Sequence, residues 1–161
     1  MAACAAAGAA AHERSSSPAT GAPVRSVVDT GFLVALLDGD DDWHDWAVAA
    51  APLARGPWVT CEACISEALF CLRGRARPAR ATLFAWQERG LLVVRSFLPE
   101  HRARLEAELR RYRARDMDYA DACVVLLSDE FPRLPVFTTD RRDFLVYFRG
   151  RSPRALHAPT V

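Results

Sequence analysis

Large apolar residues become regular along this chain only from Ser26, where short β-branched runs begin to alternate with longer segments of helical periodicity. Ser26-Val27-Val28-Asp29 predicts a strand that ends in an acid, and Thr30 serves as N-cap for the apolar helix Phe32 to Leu37. Asp38 to Asp42 reads as an acidic loop and helix entry, and Trp43 to Ala54 as an amphipathic helix. Pro57 to Thr60 is a second strand, followed by a helix from Cys61 to Leu72. Arg73-Gly74-Arg75 breaks that helix, and Pro78 starts the next, which Ala79 to Arg89 completes. Leu91 to Val94 is a third strand. Pro99 to Arg115 is a surface helix with a narrow apolar face through Leu105 and Leu109, and Asp118 to Leu127 is a helix whose later part is almost wholly apolar. Pro135 to Thr138 makes a fourth strand, and Phe144 to Phe148 is a candidate fifth.

Strands alternating with helices imply an α/β/α sandwich whose central sheet has four to five mainly parallel strands. No internal repeat or second domain is visible, which places one domain at 26–150 and a C-terminal tail at 151–161. The first 25 residues, rich in Ala, Ser, Gly and Pro, read as a disordered leader or as a start placed too early. They lack the basic and Leu-rich regions of a signal peptide.

Composition narrows the chemistry. Among 161 residues, 21 basic and 20 acidic side chains nearly balance, which argues against a strongly basic nucleic-acid-binding tail. Every basic residue is arginine. Without lysine there is no phosphate loop of the G-x-x-x-x-G-K-[ST] kind and no Schiff-base chemistry, and aspartate-based phosphotransfer folds that use a lysine are disfavoured. Five cysteines form no framework and indicate a reduced, cytosolic protein. Cys61 and Cys64 make a lone C-x-x-C with no second pair, so they and Cys71 read as small core residues. No stretch is apolar enough to span a membrane.

The informative residues are acids beside segments that should be core. Asp29 ends the first strand, Glu67 is the only charge between Ala63 and Leu72, Asp121 opens the apolar run Ala122 to Leu127, and Asp140 follows the fourth strand. Ionised carboxylates are rarely buried unless paired or bound to a cation. In a parallel sheet the strand ends are where ligands gather, and Asp118 shares a helix face with Asp121. Each acid alone has a bland explanation: Asp29 and Asp118 as caps, Asp140 with Asp143 as a turn and cap, Glu67 as an arginine's partner. Together they favour an oxygen-only site for Mg²⁺ or Mn²⁺ over four coincidences.

These motifs match a family. Val27-Val28-Asp29-Thr30, Ile65-Ser66-Glu67-Ala68-Leu69, Met117-Asp118-Tyr119-Ala120-Asp121-Ala122 and Phe137-Thr138-Thr139-Asp140-Arg141-Arg142-Asp143-Phe144 resemble, in order and spacing, the acidic motifs of PIN-domain nucleases. The single small domain resembles the VapC-type toxins of bacterial toxin–antitoxin pairs. The resemblance implies a Mg²⁺- or Mn²⁺-dependent endoribonuclease in which Asp29, Glu67, Asp121 and Asp140 are the acidic quartet. Asp118, Asp143, Thr30 and Thr138 are then supporting residues, and Glu62 a helix-start cap. It also implies an RNA substrate, a small antitoxin and a homodimer.

RNA needs positive charge outside the acidic pocket. The candidates are Arg73, Arg75, Arg77 and Arg80 after the Glu67 helix, Arg110, Arg111, Arg113 and Arg115 before Asp118, and Arg141 and Arg142 beside Asp140. Most of the Arg102 to Arg115 set also fits a solvated helix face, which leaves Arg141 and Arg142 foremost. His44 among aspartates reads as part of a solvated helix entry rather than a metal ligand. Trp43, Trp46 and Trp86 read as packing residues. A scaffold without catalysis, a DNA nuclease and a metal-dependent phosphatase are the competing functions.

Overall fold

A computed structural model describes residues 23–74, 77–152 and 154–160, with the backbone alone at Arg77. All but the end of the leader assigned to residues 1–25 therefore lies outside the described residues. Five parallel strands form one sheet: β1 (Ser26–Val28), β2 (Trp58–Cys61), β3 (Leu92–Arg95), β4 (Val136–Phe137) and β5 (Leu156–His157). Their order is β3-β2-β1-β4-β5. The chain builds outward from β1 to β3, then returns to lay β4 on the other side of β1. The strand order thus reverses between β1 and β4, and both strands end at the same edge of the sheet, with Val28 level with Phe137.

Alternation within the strands separates two cores. Val27, Val59 and Val136 stand in one row and pack with Leu105, Met117 and residues Ala122 to Leu127, whereas Val28 and Phe137 face the opposite side with Phe32, Leu33 and Leu83. The first side is covered by α5 (Leu98–Arg111), α6 (Tyr119–Glu130) and α7 (Arg141–Tyr147). On the second lie α1 (Thr30–Leu37), α2 (His44–Ala50) and α4 (Arg77–Glu88). Helix α3 (Glu62–Cys71) contributes to both, Cys64 to the first core and Ile65 and Ala68 to the second. The apolar run predicted in α6 is its central turns, where every residue from Ala122 to Ser128 is buried.

The fifth strand differs from the sequence expectation. Phe144 to Phe148 is not a strand: Asp140 caps α7, and Phe144 and Tyr147, three residues apart, turn one helical face into the core. Strand β5 instead comes from the segment read as a tail, where His157 stacks on Phe137 with ring centroids 4.5 Å apart. That segment is anchored by arginines. Arg151 reaches Glu108 at 2.6 Å and Asp129 at 2.5 Å, and Arg154 reaches Asp129 at 3.2 Å. Cys71 is exposed rather than core, while Cys61, Cys64 and Cys123 are buried. Trp46 packs edge-on to Phe32, and Trp86 edge-on to Trp58.

Phe32 touches Trp46, Trp58 and Phe137 and is fully buried, so it ties α1 to α2 and to two strands. Phe32→Ala is expected to lower unfolding stability by about 3–5 kcal/mol in a urea titration. Leu53→Ala, at a site 62% exposed, is expected to change it by less than about 0.5 kcal/mol.

Candidate active site

The site is built from helix starts. A strand that stops and turns directly into a helix leaves backbone N–H groups unpaired, and a carboxylate at the junction satisfies one of them. Asp29 takes that place at the end of β1, where its Oδ1 accepts from the Phe32 N–H at 2.8 Å. Asp118 does the same for the Asp121 N–H at 2.8 Å, and Asp140 for the Asp143 N–H at 3.0 Å. The N-cap of α1 is therefore Asp29 and not Thr30, and α3 is capped by the Cys61 sulfur rather than by Glu62, its first residue.

Direct contacts join three of the four motifs. The Thr138 hydroxyl donates to Asp29 Oδ2, and its oxygen accepts from the Asp140 N–H at 2.9 Å, so one side chain at the end of β4 orients both aspartates. Thr30, the next residue along from Asp29, donates to Glu67 Oε2 at 2.8 Å. That hydroxyl is Glu67's partner, where an arginine was the alternative. Gly31 lets the elements approach: a Cβ there would lie 1.9 Å from Thr139 Oγ1. The fourth motif joins through charge. Asp121 responds to Asp118, Asp29 and Asp140, and its Oδ2 accepts from the Tyr147 hydroxyl at 3.3 Å.

Burial and mutual repulsion show in the acids' proton affinities. Asp29 is pushed up to about 7, chiefly by burial and further by Asp140 and Glu67, against the opposing pull of its hydrogen bonds to Thr138 and Phe32. Asp121 rises to about 8, again chiefly by burial, then by Asp118, Asp29 and Asp140. Glu67 rises for the same first reason, with Asp118 adding to it. Such a set of hard oxygen donors suits a divalent cation of the Mg²⁺ or Mn²⁺ kind, whose charge would reverse these shifts. Among the described residues no three acidic, histidine or cysteine side chains are already closed around an ion position. Their oxygens instead hold the helix-cap and hydroxyl hydrogen bonds just described.

The flanking residues sort less evenly. Asp143 pairs with Arg115 at 3.2 Å, which spans from the 3₁₀ turn Arg113–Arg115 to α7. Arg141 and Arg142 are exposed in the first turn of α7 and line a groove of about 350 Å³ with Asp140. Arg73 stacks on Phe70 at 3.6 Å near the far end of α3 and is not brought to the acids. Arg75 and the side chain of Arg77 lie outside the described residues, and Arg110 pairs with Glu106 on its own helix. His44 Nδ1 meets the Ala35 carbonyl at 2.8 Å. Tyr147 was missed by sequence reasoning, because its contact with Asp121 exists only once Phe144 to Phe148 is helical.

Strand ends converging with acidic helix starts at a topological switch point define an α/β domain with an acidic candidate site. The chain belongs to the PIN domain family, whose sequence pattern matches residues 26–147. In three dimensions it is similar to VapC20 of Mycobacterium tuberculosis, a toxin that cleaves the sarcin-ricin loop, with a TM-score of 0.66 at 18% identity over 74% of this chain and 93% of that one. PAE2754 of Pyrobaculum aerophilum aligns at 20% identity over 83% of this chain and 90% of its own, with a TM-score of 0.46. No curated protein matches in sequence.

The raised carboxylates fix a pH dependence. Between about pH 4 and pH 8 the folded protein retains protons on Asp29 and Asp121 that the unfolded chain releases, so stability falls as pH rises through this window. In a metal-chelating buffer the melting temperature is expected to be lower at pH 8 than at pH 5. Asp121→Asn is expected to raise it at pH 8 and flatten the profile, as read by calorimetry.

Proposed function

We propose that this chain is a Mg²⁺- or Mn²⁺-dependent endoribonuclease and the toxin of a toxin–antitoxin pair. The observation that carries the reading is the convergence of Asp29, Glu67 and Asp140 through the Thr30 and Thr138 hydroxyls, with Asp121 coupled to them by charge. Family membership supports a nuclease, and the RNA-cleaving toxin VapC20, which shares the fold, supports RNA as the polymer.

In this reading Asp29, Asp121 and Asp140 would hold the cation, and Glu67 would hold the cation or its water. When bound, the ion supplies charge for the phosphate oxygens and acidifies a water. Thr138 keeps the Asp29 and Asp140 carboxylates in fixed relation, and Thr30 fixes Glu67. Tyr147 restrains one Asp121 oxygen and leaves the other open. Arg141 and Arg142 are placed to hold backbone phosphates beside Asp140, and Arg115 orients Asp143. Among the described residues no helix is long and apolar enough to cross a membrane. The reading places the protein in the cytosol, as a homodimer bound by a small antitoxin. Exposed apolar side chains on α3, α4 and beside β3, such as Phe70, Phe84 and Leu91, offer contacts for these partners.

The test is cleavage of pooled RNAs and single-stranded DNAs with Mn²⁺ or a chelator. RNA cutting is expected only with metal, and Asp29→Asn and Asp121→Asn are each expected to slow it at least about 100-fold. Metal-independent cutting, full activity in both variants, or a preference for DNA would refute the reading.

A further inference from the structure

A second groove, of about 370 Å³, has Glu67 in its lining and extends from it to residues given no role so far. Its volume falls in the range of small-molecule sites, about 300–1,000 Å³. It lies over the ends of β2 and β3, with Phe97 in its wall, Glu62, Glu67 and Arg95 as its charged groups, and Ser66 and Tyr119 also in its lining. Tyr119 opens α6 directly after Asp118 and is 39% exposed. Tyr119 and the buried Cys123 both line the groove. An exposed aromatic ring that shares the groove with a carboxylate of the proposed catalytic set is a platform on which an unpaired base can stack.

We propose that this groove is a base-selective subsite that holds a guanine next to the scissile phosphate, a proposal that rests on the ribonuclease reading above. Complementarity singles out that base. A carboxylate only accepts hydrogen bonds and a guanidinium only donates them. Guanine alone among the four bases offers a two-donor edge, N1–H and N2–H, for Glu62 and a two-acceptor edge, O6 and N7, for Arg95. Arg95 is available for exchange: its ion pair with Glu130 is 3.8 Å long, with the Arg95 side chain half exposed. Glu62 is an exposed residue in the first turn of α3, so its carboxylate is free to turn toward a base without unmaking a cap. Cytosine gives the paired-acceptor contact through O2 and N3 but no paired donor, and adenine and uracil give neither paired contact in full.

The experiment sequences the ends of a random RNA pool cut by the full chain with Mn²⁺. Guanosine is expected at one fixed offset from the cut, enriched at least about 10-fold, and Glu62→Gln or Arg95→Gln is expected to erase most of that enrichment while slowing cuts at other bases little. In a defined oligonucleotide, inosine at that offset removes the N2 donor and 7-deazaguanosine the N7 acceptor. Inosine is expected to slow the wild type about 10-fold but not Glu62→Gln, and 7-deazaguanosine to slow the wild type but not Arg95→Gln. Fluorescence anisotropy of Asp121→Asn with guanine-containing and guanine-free 8-mers reads the subsite without cleavage. No guanosine preference in cutting or in binding overturns the proposal, as does a preference that survives in both variants. Guanine-selective binding by a chain that cuts no RNA would sustain the subsite and overturn the nuclease reading instead.

Discussion

The buried carboxylate of Asp29 is the interaction around which the domain is organised. It ends the central strand, caps the helix that follows, and receives the hydroxyl of a residue 109 positions later in the chain. Those demands can be met together only if β1 and β4 run parallel and stop level, because only then does Thr138 arrive beside the first helix. The sheet order, the close approach at Gly31 and the starts of α1 and α7 all follow from that alignment. Its energetic consequence is unfavourable: burial, with Asp140 and Glu67 adding to it, holds the Asp29 carboxyl at about 7 in spite of its hydrogen bonds. A domain that keeps such a group sacrifices stability there for what the group can bind.

Capping and catalysis are usually weighed as alternatives for an aspartate at a strand–helix junction. Here three of the acids cap helices through one oxygen, and the second oxygen of Asp29 accepts from Thr138. The cap holds each carboxylate in one orientation, so the structural role and a chemical one are compatible. Glu67 shows the other solution. Lying mid-helix with no end to cap, it is restrained by Thr30, a hydroxyl that the Asp29 turn itself presents.

Much of this was legible in the sequence because each acid interrupts an apolar run, and an apolar run reports burial without knowledge of the fold. The α/β alternation was legible for the same reason, since Val27 and Val28 on one strand and the apolar centre of α6 need cover on both faces of a sheet. The failures are local. Phe144 to Phe148 is as apolar as a strand, and what makes it helical is the Asp140 cap at its start and the docking of Phe144 and Tyr147 three residues apart. Strand β5 has only two residues and depends on its pairing with β4 and on the arginine anchors before it, which no short pattern reports. The groove beside Glu67 was invisible for another reason: Glu62, Arg95 and Tyr119 come from three distant elements and carry no joint signal along the chain.

The pairing of β1 with β4 also bears on when the protein becomes competent. Asp29 leaves the ribosome early, but its partners Thr138 and Asp140 follow more than a hundred residues later. Contacts of such separation form last, after the intervening loop has been closed. During synthesis the first half of the chain can condense around β1, β2 and β3 while the crevice still lacks one wall. A nascent or truncated chain that ends before Val136 lacks β4, Thr138 and Asp140 and so cannot complete the crevice.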